Sequence, residues 1–493
     1  MKNYVIVGGG TAGWISAAIL SNLFKHTDTK VSLIESPDIP TVGVGEATIP
    51  SILDLLNYLN IPHKEFIRET NATFKLGIKF TNWLRKGHHY WHPFGTIGGV
   101  IDTLPFYQQW RRYKARGQPG GFTDFSPAIV MARNERFYIS NPEKPDLFSA
   151  SDYALHFDAS KVARFLEKFA IGNGVSLVKA NVTKVNTTDT GEISSVLLDN
   201  KTTIDGDFFI DCSGQRALLI HDALGVPYED WSKYLPVDRA IAVQTESTAN
   251  FRPYTESTAH DSGWRWNIPL QTRVGNGYVY CSSFCDDDRA RQTLMSNLES
   301  KPVNEPRIIK FLTGKRQKVW HKNCVSIGLS SGFLEPLEST SIHLIMKAML
   351  YFIQMLPQGV VNTATVNEFN RLMDIEFECI RDFIVLHYCE TERDDTDFWR
   401  WWLTADIPAS LEAKLELFKS QGRLFKNDMD LFQQDSWYAV LDGMGVQPHS
   451  NDPIAQISSA EKIDTMLNKR LDNFNSAVRR LPYHIEYLRQ FID

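Results

Sequence analysis

Cysteine is scarce in this 493-residue chain: six in all, and none in a CxxC pair. Cys281 and Cys285, in CSSFC, have no histidine beside them. That pattern excludes a cysteine-rich metal site, and Cys212, Cys281, Cys285, Cys324, Cys379 and Cys389 are expected reduced and mostly buried. Positive charge is not in excess either. The net charge is −6 with a pI of about 6.1, and no basic arm or Lys/Arg run occurs, so nucleic acid is excluded as a partner. No apolar run approaches the roughly 18 residues of a membrane span. No leader precedes the first strand, so the chain is expected in the cytoplasm. Repeats and low-complexity tracts are absent. No motif fixes the oligomeric state, and a homodimer is carried as an expectation.

What is present is ordinary globular composition, 43% hydrophobic and 22% charged, at a length that can bury a large core and a cofactor. YVIVGGGTAGWISAAIL (4–20) reads as a buried strand, a glycine turn and a helix, and KVSLIES (30–36) as a second strand ending on an acid. TFKLGIKFTNW (73–83) alternates like a strand. Residues 86–155 are rich in glycine, proline and aromatics and read as a loop-rich insertion. SKVARFLEKFAIGNG (160–174) is a helix with a glycine stop. From about 343 the pattern is helical to the end. The expected fold class is α/β: a Rossmann-like body over 1–342, and a mainly α-helical capping subdomain over 343–493.

Gly8, Gly10 and Gly13 form GxGxxG between that strand and helix, with Glu35 22 residues past Gly13. Glycines there let a pyrophosphate approach the helix N-terminus, and the acid accepts from a ribose hydroxyl. Thr11, Ala12 and Trp14 complete the helix start, and Ser36 follows the acid. TVGVGEATIP adds Gly43, Val44, Gly45, Glu46 and Ala47. Val182 lies on a later strand, and FIDCSG ends a further strand at Asp211 and Gly214. This acid-glycine strand end resembles that of the FAD-binding monooxygenases, which implies FAD rather than NAD and an FAD-binding body of the FAD monooxygenase type over 1–342. No second strand-glycine-helix fingerprint exists, so the flavin is expected to be reduced by a separate flavin reductase.

Three stretches then coincide: GWRWNIP (263–269), NATFKLGIKFTNW (71–83) and FLEPLESTSIHL (333–344). Together they resemble the flavin-dependent tryptophan halogenases, over essentially the whole chain as far as ERDDTDFWR (392–400) and DSWYAVLDGMG (435–445). The resemblance implies an enzyme that uses reduced FAD, oxygen and a halide, chloride or bromide, to make hypohalous acid. That oxidant crosses to a second chamber and halogenates an indole-type aromatic, tryptophan or a free or substituted indole. Alternatives are a monooxygenase or oxidase acting directly on an aromatic, and a silent FAD-binding protein.

Residue by residue, the resemblance makes Lys79 the catalytic lysine and Glu338 the catalytic acid. Strand alternation places Lys75, Gly77 and Lys79 on one face, and a solvated strand lysine is the bland alternative for Lys79. Lys75 is read as structural. For Glu338 the competing reading is a charge at a helix start. Trp264 and Trp266 fall on one strand face, Arg265 on the other, and Pro269 ends the ladder. The pair reads as core from the pattern alone, and as a barrier between flavin and substrate by the resemblance. The halide is assigned to Thr340 and Ser341, where serine replaces the family's glycine. Leu329 and Ile342 match flavin-lining positions. His92 and Phe94, in HHYWHPFG, match a substrate-stacking pair, and Trp437 is a pocket candidate. His88, His89 and His92 lack metal-ligand spacing, so no metal is expected.

Overall fold

The computed structural model describes residues 2–39, 45–247, 251–357, 359–425 and 428–492. Two compact units emerge, each assembled from three separated segments. The first comprises Met1–Ala72, Phe157–Ser232 and Lys310–Glu378; the second comprises Thr73–His156, Lys233–Ile309 and Cys379–Asp493. The sequence suggests one boundary after 342, whereas the first unit runs on to 378. The cause is strand pairing over long separations: Phe208–Asp211 and Cys324–Ser326 complete a sheet begun at Asn3–Val7.

That sheet is the nucleotide-binding core of the first unit. Its order is Ser176–Lys179, Lys30–Glu35, Asn3–Val7, Phe208–Asp211, Cys324–Ser326 and Trp320–His321. All pairs are parallel except the last. Parallel strands need crossovers and cover on their faces. Helices Thr11–Phe24 and Ala159–Gly172 supply crossovers and pack on one another. Val5, Val7, Ile34, Phe209 and Cys324 form part of one apolar cluster, each at most 3% exposed.

The second unit is built on a seven-stranded sheet. Its order is Arg307–Lys310, Arg239–Glu246, Arg273–Tyr280, Gly263–Pro269, Thr255–His260, Gly77–Thr81 and His89–Pro93. Thr255–His260 and Gly77–Thr81 run parallel, and Gly263–Pro269 runs antiparallel to both of its neighbours. The insertion read as loops holds helices Phe106–Ala115 and Pro127–Arg133. Beyond Ser341 every helix or strand among the described residues is a helix, as expected. No helix among the described residues is long and apolar enough to cross a membrane. All six cysteines are free, four of them buried.

Candidate active site

The glycine turn sits where a parallel strand meets a helix. Gly8 has φ +120°, and a Cβ there would lie 2.1 Å from the Cys212 carbonyl oxygen. A Cβ on Gly13 would lie 1.8 Å from the Gly8 oxygen, so the turn cannot close around a larger residue. Gly10 is different: it has an ordinary φ of −78° and nothing within 4 Å of a Cβ. Its surface is open, and no side chain caps the helix that starts at Thr11. Uncapped N–H groups beside an open glycine suit a pyrophosphate. Gly10→Ala is therefore expected to change stability by under about 0.5 kcal/mol, while weakening FAD at least about tenfold. Gly13→Ala is expected to cost at least about 2 kcal/mol of folding stability. Thermal melts and FAD titration of both variants separate the two effects.

Glu35 ends its strand, with the Trp14 indole near its carboxylate. Burial and then the Glu167 charge push its pKa up, against Lys179 and the nearby indole. Gly9, passed over in the motif, belongs to the same arrangement: a Cβ there would lie 2.4 Å from the Glu35 carboxylate. Ser36 is engaged instead with Asn181, donating at 2.6 Å. Val182 is half-buried beside the apolar cluster. Asp211 is buried and accepts from Ser213 N–H, Ser213 Oγ, Leu219 N–H and Ile220 N–H, so it shapes the turn. Burial raises its pKa and these donors oppose the rise. Gly214, at φ +72°, opens the next turn. Gly45, Glu46 and Ala47 form a short strand, and burial pushes Glu46 up to about 7. Gly43 and Val44 lie outside the described residues. The open Gly10 surface, the uncapped helix and the Glu35 strand end fit a dinucleotide such as FAD.

Further along the first unit, Pro336–Glu338 forms a tight turn, and Ser339 takes left-handed backbone at φ +61°. For a residue with a side chain that costs about 1–3 kcal/mol. The bend directs the chain into helix Ser341–Gln354, whose first-turn N–H groups are met by no capping side chain. Thr340 is 1% exposed and Glu338 0%. Buried carboxylate, sharp bend and open helix start therefore fall within four consecutive residues. Ile342 is buried, while Leu329 is exposed in the turn Gly328–Ser330.

In the second unit the two lysines have different surroundings. The strand breaks at Leu76, whose N–H donates to Pro253 O at 2.7 Å. Thr73–Lys75 pairs with residues 154–156, while Gly77–Thr81 belongs to the seven-stranded sheet. Lys75 and Lys79 thus belong to different sheets, on either side of Leu76. Lys79 Nζ lies 3.1 Å from Glu256 Oε1, its neighbour in register, with the side chain 26% exposed. Arg252 holds the other oxygen of that carboxylate at 2.7 Å. Lys75 is 0% exposed, with its ammonium 5.1 Å from the ring centre of Phe94.

Register also separates Lys79 from the tryptophans. Lys79, Glu256 and Asn267 lie side by side, as do Phe80, Ser257 and Trp266. Side chains alternate along each strand, so Lys79 and Trp266 occupy opposite faces. Trp264 and Trp266 share a face, with ring centres 6.0 Å apart. Trp264 also abuts Trp83, which packs on Tyr388 and Trp399. Trp266 lies against Gly277, where a Cβ would fall 1.9 Å from its ring.

His92 and Phe94 join an aromatic group. His92 lies 5.2 Å from Phe383, 5.8 Å from Phe432 and 6.2 Å from Phe94 between ring centres. Phe383 and Phe432 stack at 3.9 Å, and Trp437 meets Phe383 edge-on. Phe432 and Trp437 also line a cavity of about 230 Å³ with Lys414, Leu417 and Leu424. His89 lies on the opposite strand face from His92.

The sequence profile of the tryptophan halogenase family matches residues 3–460. The chain belongs to the tryptophan halogenase family. It is an FAD-dependent halogenase, an enzyme that takes reduced FAD and a halide. It is 33% identical to the tryptophan 7-halogenase RebH of Lentzea aerocolonigenes, over 99% of this chain and 98% of that protein. Among solved structures, the flavin-dependent halogenase Xcc4156 from Xanthomonas campestris superposes with a TM-score of 0.96 at 42% identity, covering 99% of this chain and 98% of that one. BrvH, a flavin-dependent halogenase from Brevundimonas sp. BAL3, gives 0.96 at 37%, covering 100% and 99%.

Several residues beside the candidate site residues carry no sequence signal of their own. Phe383 and Phe432 carry no motif and meet His92 only through the fold. Glu256, which neutralises Lys79, is separated from it by 177 positions. Lys75 is the other lysine of KLGIK, and its burial accompanies pairing with Ala154, 79 positions away.

Proposed function

We propose that this halogenase halogenates an indole-type aromatic held against His92 and Phe94, with Lys75 rather than Lys79 as the catalytic lysine. The observation carrying this reading is the burial of Lys75 with its ammonium against Phe94. Lys79 instead pairs with a carboxylate at a partly exposed position, which is the ordinary fate of a strand lysine.

Bound and reduced, FAD would give oxygen two electrons; the halide gives two more and is thereby oxidised to hypohalous acid, with water as the other product. Gly10, the Thr11 helix start and Glu35 hold it, and the open N–H groups after Thr340 attract the halide. Lys75 donates a hydrogen bond to the oxidant in a site where such a bond is strong. The aromatic group around His92 offers flat faces to a ring. Electrophilic substitution passes through a ring cation, and Glu338 stabilises it and takes the proton. Trp264, locked by Trp83, and Trp266, seated on Gly277, act as a rigid barrier to direct contact between substrate and flavin. A separate flavin reductase delivers the reduced cofactor.

Incubation with FAD, a flavin reductase, NADH and a panel containing tryptophan, indole and substituted indoles, first in bromide and then in chloride, tests this reading. The expected product gains one halogen in place of one hydrogen by mass. An oxygenated product formed without halide would establish direct monooxygenation instead.

A further inference from the structure

Thr73–Lys75 is only three residues long, yet it carries a fully buried ammonium. Something must fix that short strand. Thr73 Oγ1 donates to the Pro269 carbonyl at 2.7 Å, the last residue of GWRWNIP. The same oxygen lies 3.2 Å from His156 Nδ1, on the residue opposite it in register. His156 Nε2 lies 2.9 Å from Thr255 Oγ1. Thr73 and His156 are 0% exposed and Thr255 is 5% exposed.

Counting protons orders the chain. A hydroxyl has one proton, and Thr73 spends it on Pro269. Thr73 therefore accepts from His156 Nδ1–H. The deprotonated Nε2 then accepts from Thr255 O–H, which fixes one neutral tautomer. Burial favours the same state, and the Lys75 charge adds to it, holding the His156 pKa well below its usual value. A second bond secures the strand from its other side. Phe74 N–H donates to His484 Nε2 at 3.2 Å, and His484 Nδ1–H donates to Phe251 O at 2.7 Å.

We propose that Thr73 and His156 are positioning residues for Lys75, a buried relay from Pro269 through Thr73 and His156 to Thr255 that fixes where the ammonium meets the oxidant. The inference rests on Lys75 being the catalytic lysine. The relay ties the end of the tryptophan strand to the lysine strand. Both imidazole nitrogens are committed, so the only charge the relay places beside Lys75 is none.

Thr73→Val removes the hydroxyl and keeps the branched shape. In the full enzyme with FAD, reductase, bromide and indole, it is expected to lower kcat about tenfold. KM for indole and FAD affinity stay within about twofold, and the share of oxidant caught by an added free-oxidant trap rises. Thr73→Ser restores kcat and trapping to near wild type. Thr255→Val, away from the lysine strand, shifts both in the same direction and carries the test if Thr73→Val does not fold. Unchanged kcat and trapping in the folded valine variants, or failure of serine to rescue, overturns the relay. Lys75→Met separates the two ideas: if it still halogenates, the lysine reading falls and the relay with it; if it is inactive while the valine variants behave as wild type, the relay alone falls.

Discussion

Lys75→Met is expected to lower the halogenation rate at least about a hundredfold, the lower range for a positioned proton donor. Methionine fills the space without the ammonium, but removing one buried charge from the groups that face it costs stability, about 3–5 kcal/mol. Thermal melting is therefore expected to fall, while FAD titration of the folded variant is expected near wild type, so loss of product at matched FAD occupancy reports chemistry. Lys79→Met is the contrast. Its pair with Glu256 is partly exposed, and Arg252 still holds that carboxylate after the change. The expected cost is within about 1 kcal/mol of stability, with halogenation changed by no more than about threefold. Product mass at matched FAD occupancy decides the matter. An inactive Lys79→Met beside an active Lys75→Met would return the catalytic role to Lys79.

The second large effect is expected at Glu338. Glutamine keeps its size and removes the charge that would stabilise the ring cation and take its proton. A fall in kcat of about a hundredfold is expected, with FAD affinity unchanged. The change also alters which step limits the rate. With the proton acceptor gone, loss of the ring proton becomes slow, so indole deuterated at the halogenated carbon is expected to react more slowly in Glu338→Gln than its ordinary counterpart. The wild-type enzyme is expected to show little such difference. A variant with normal kcat and no isotope effect would leave Glu338 with its other reading, a charge at a helix start.

The legible parts of this protein are those written locally. Strand, glycine turn, helix and Glu35 follow one another within 35 residues, and each implies its neighbour. GWRWNIP was likewise legible as a strand, with both tryptophans on one face. The lysines show where local reading fails. Alternation over KLGIK treats the run as one strand in one sheet, whereas its two ends pair with partners far along the chain, residues 154–156 and Thr255–His260. Lys75 thus enters a different sheet from Lys79. Phe383 and Phe432 were hidden for the same reason: their stacking depends on tertiary contact between a long helix and a loop. The helical content after 343 was readable, but its division between units was not. Helix Thr363–Cys389 gives its first part to one unit and its last turns to the other.

Because each unit gathers three separated segments, neither corresponds to a continuous stretch of gene. Any single splice between this chain and a homologue divides at least one unit between two parents. Variation in what such enzymes accept is thus more readily exchanged as small grafts, a side chain or a short loop at a time, than by joining the front of one relative to the back of another.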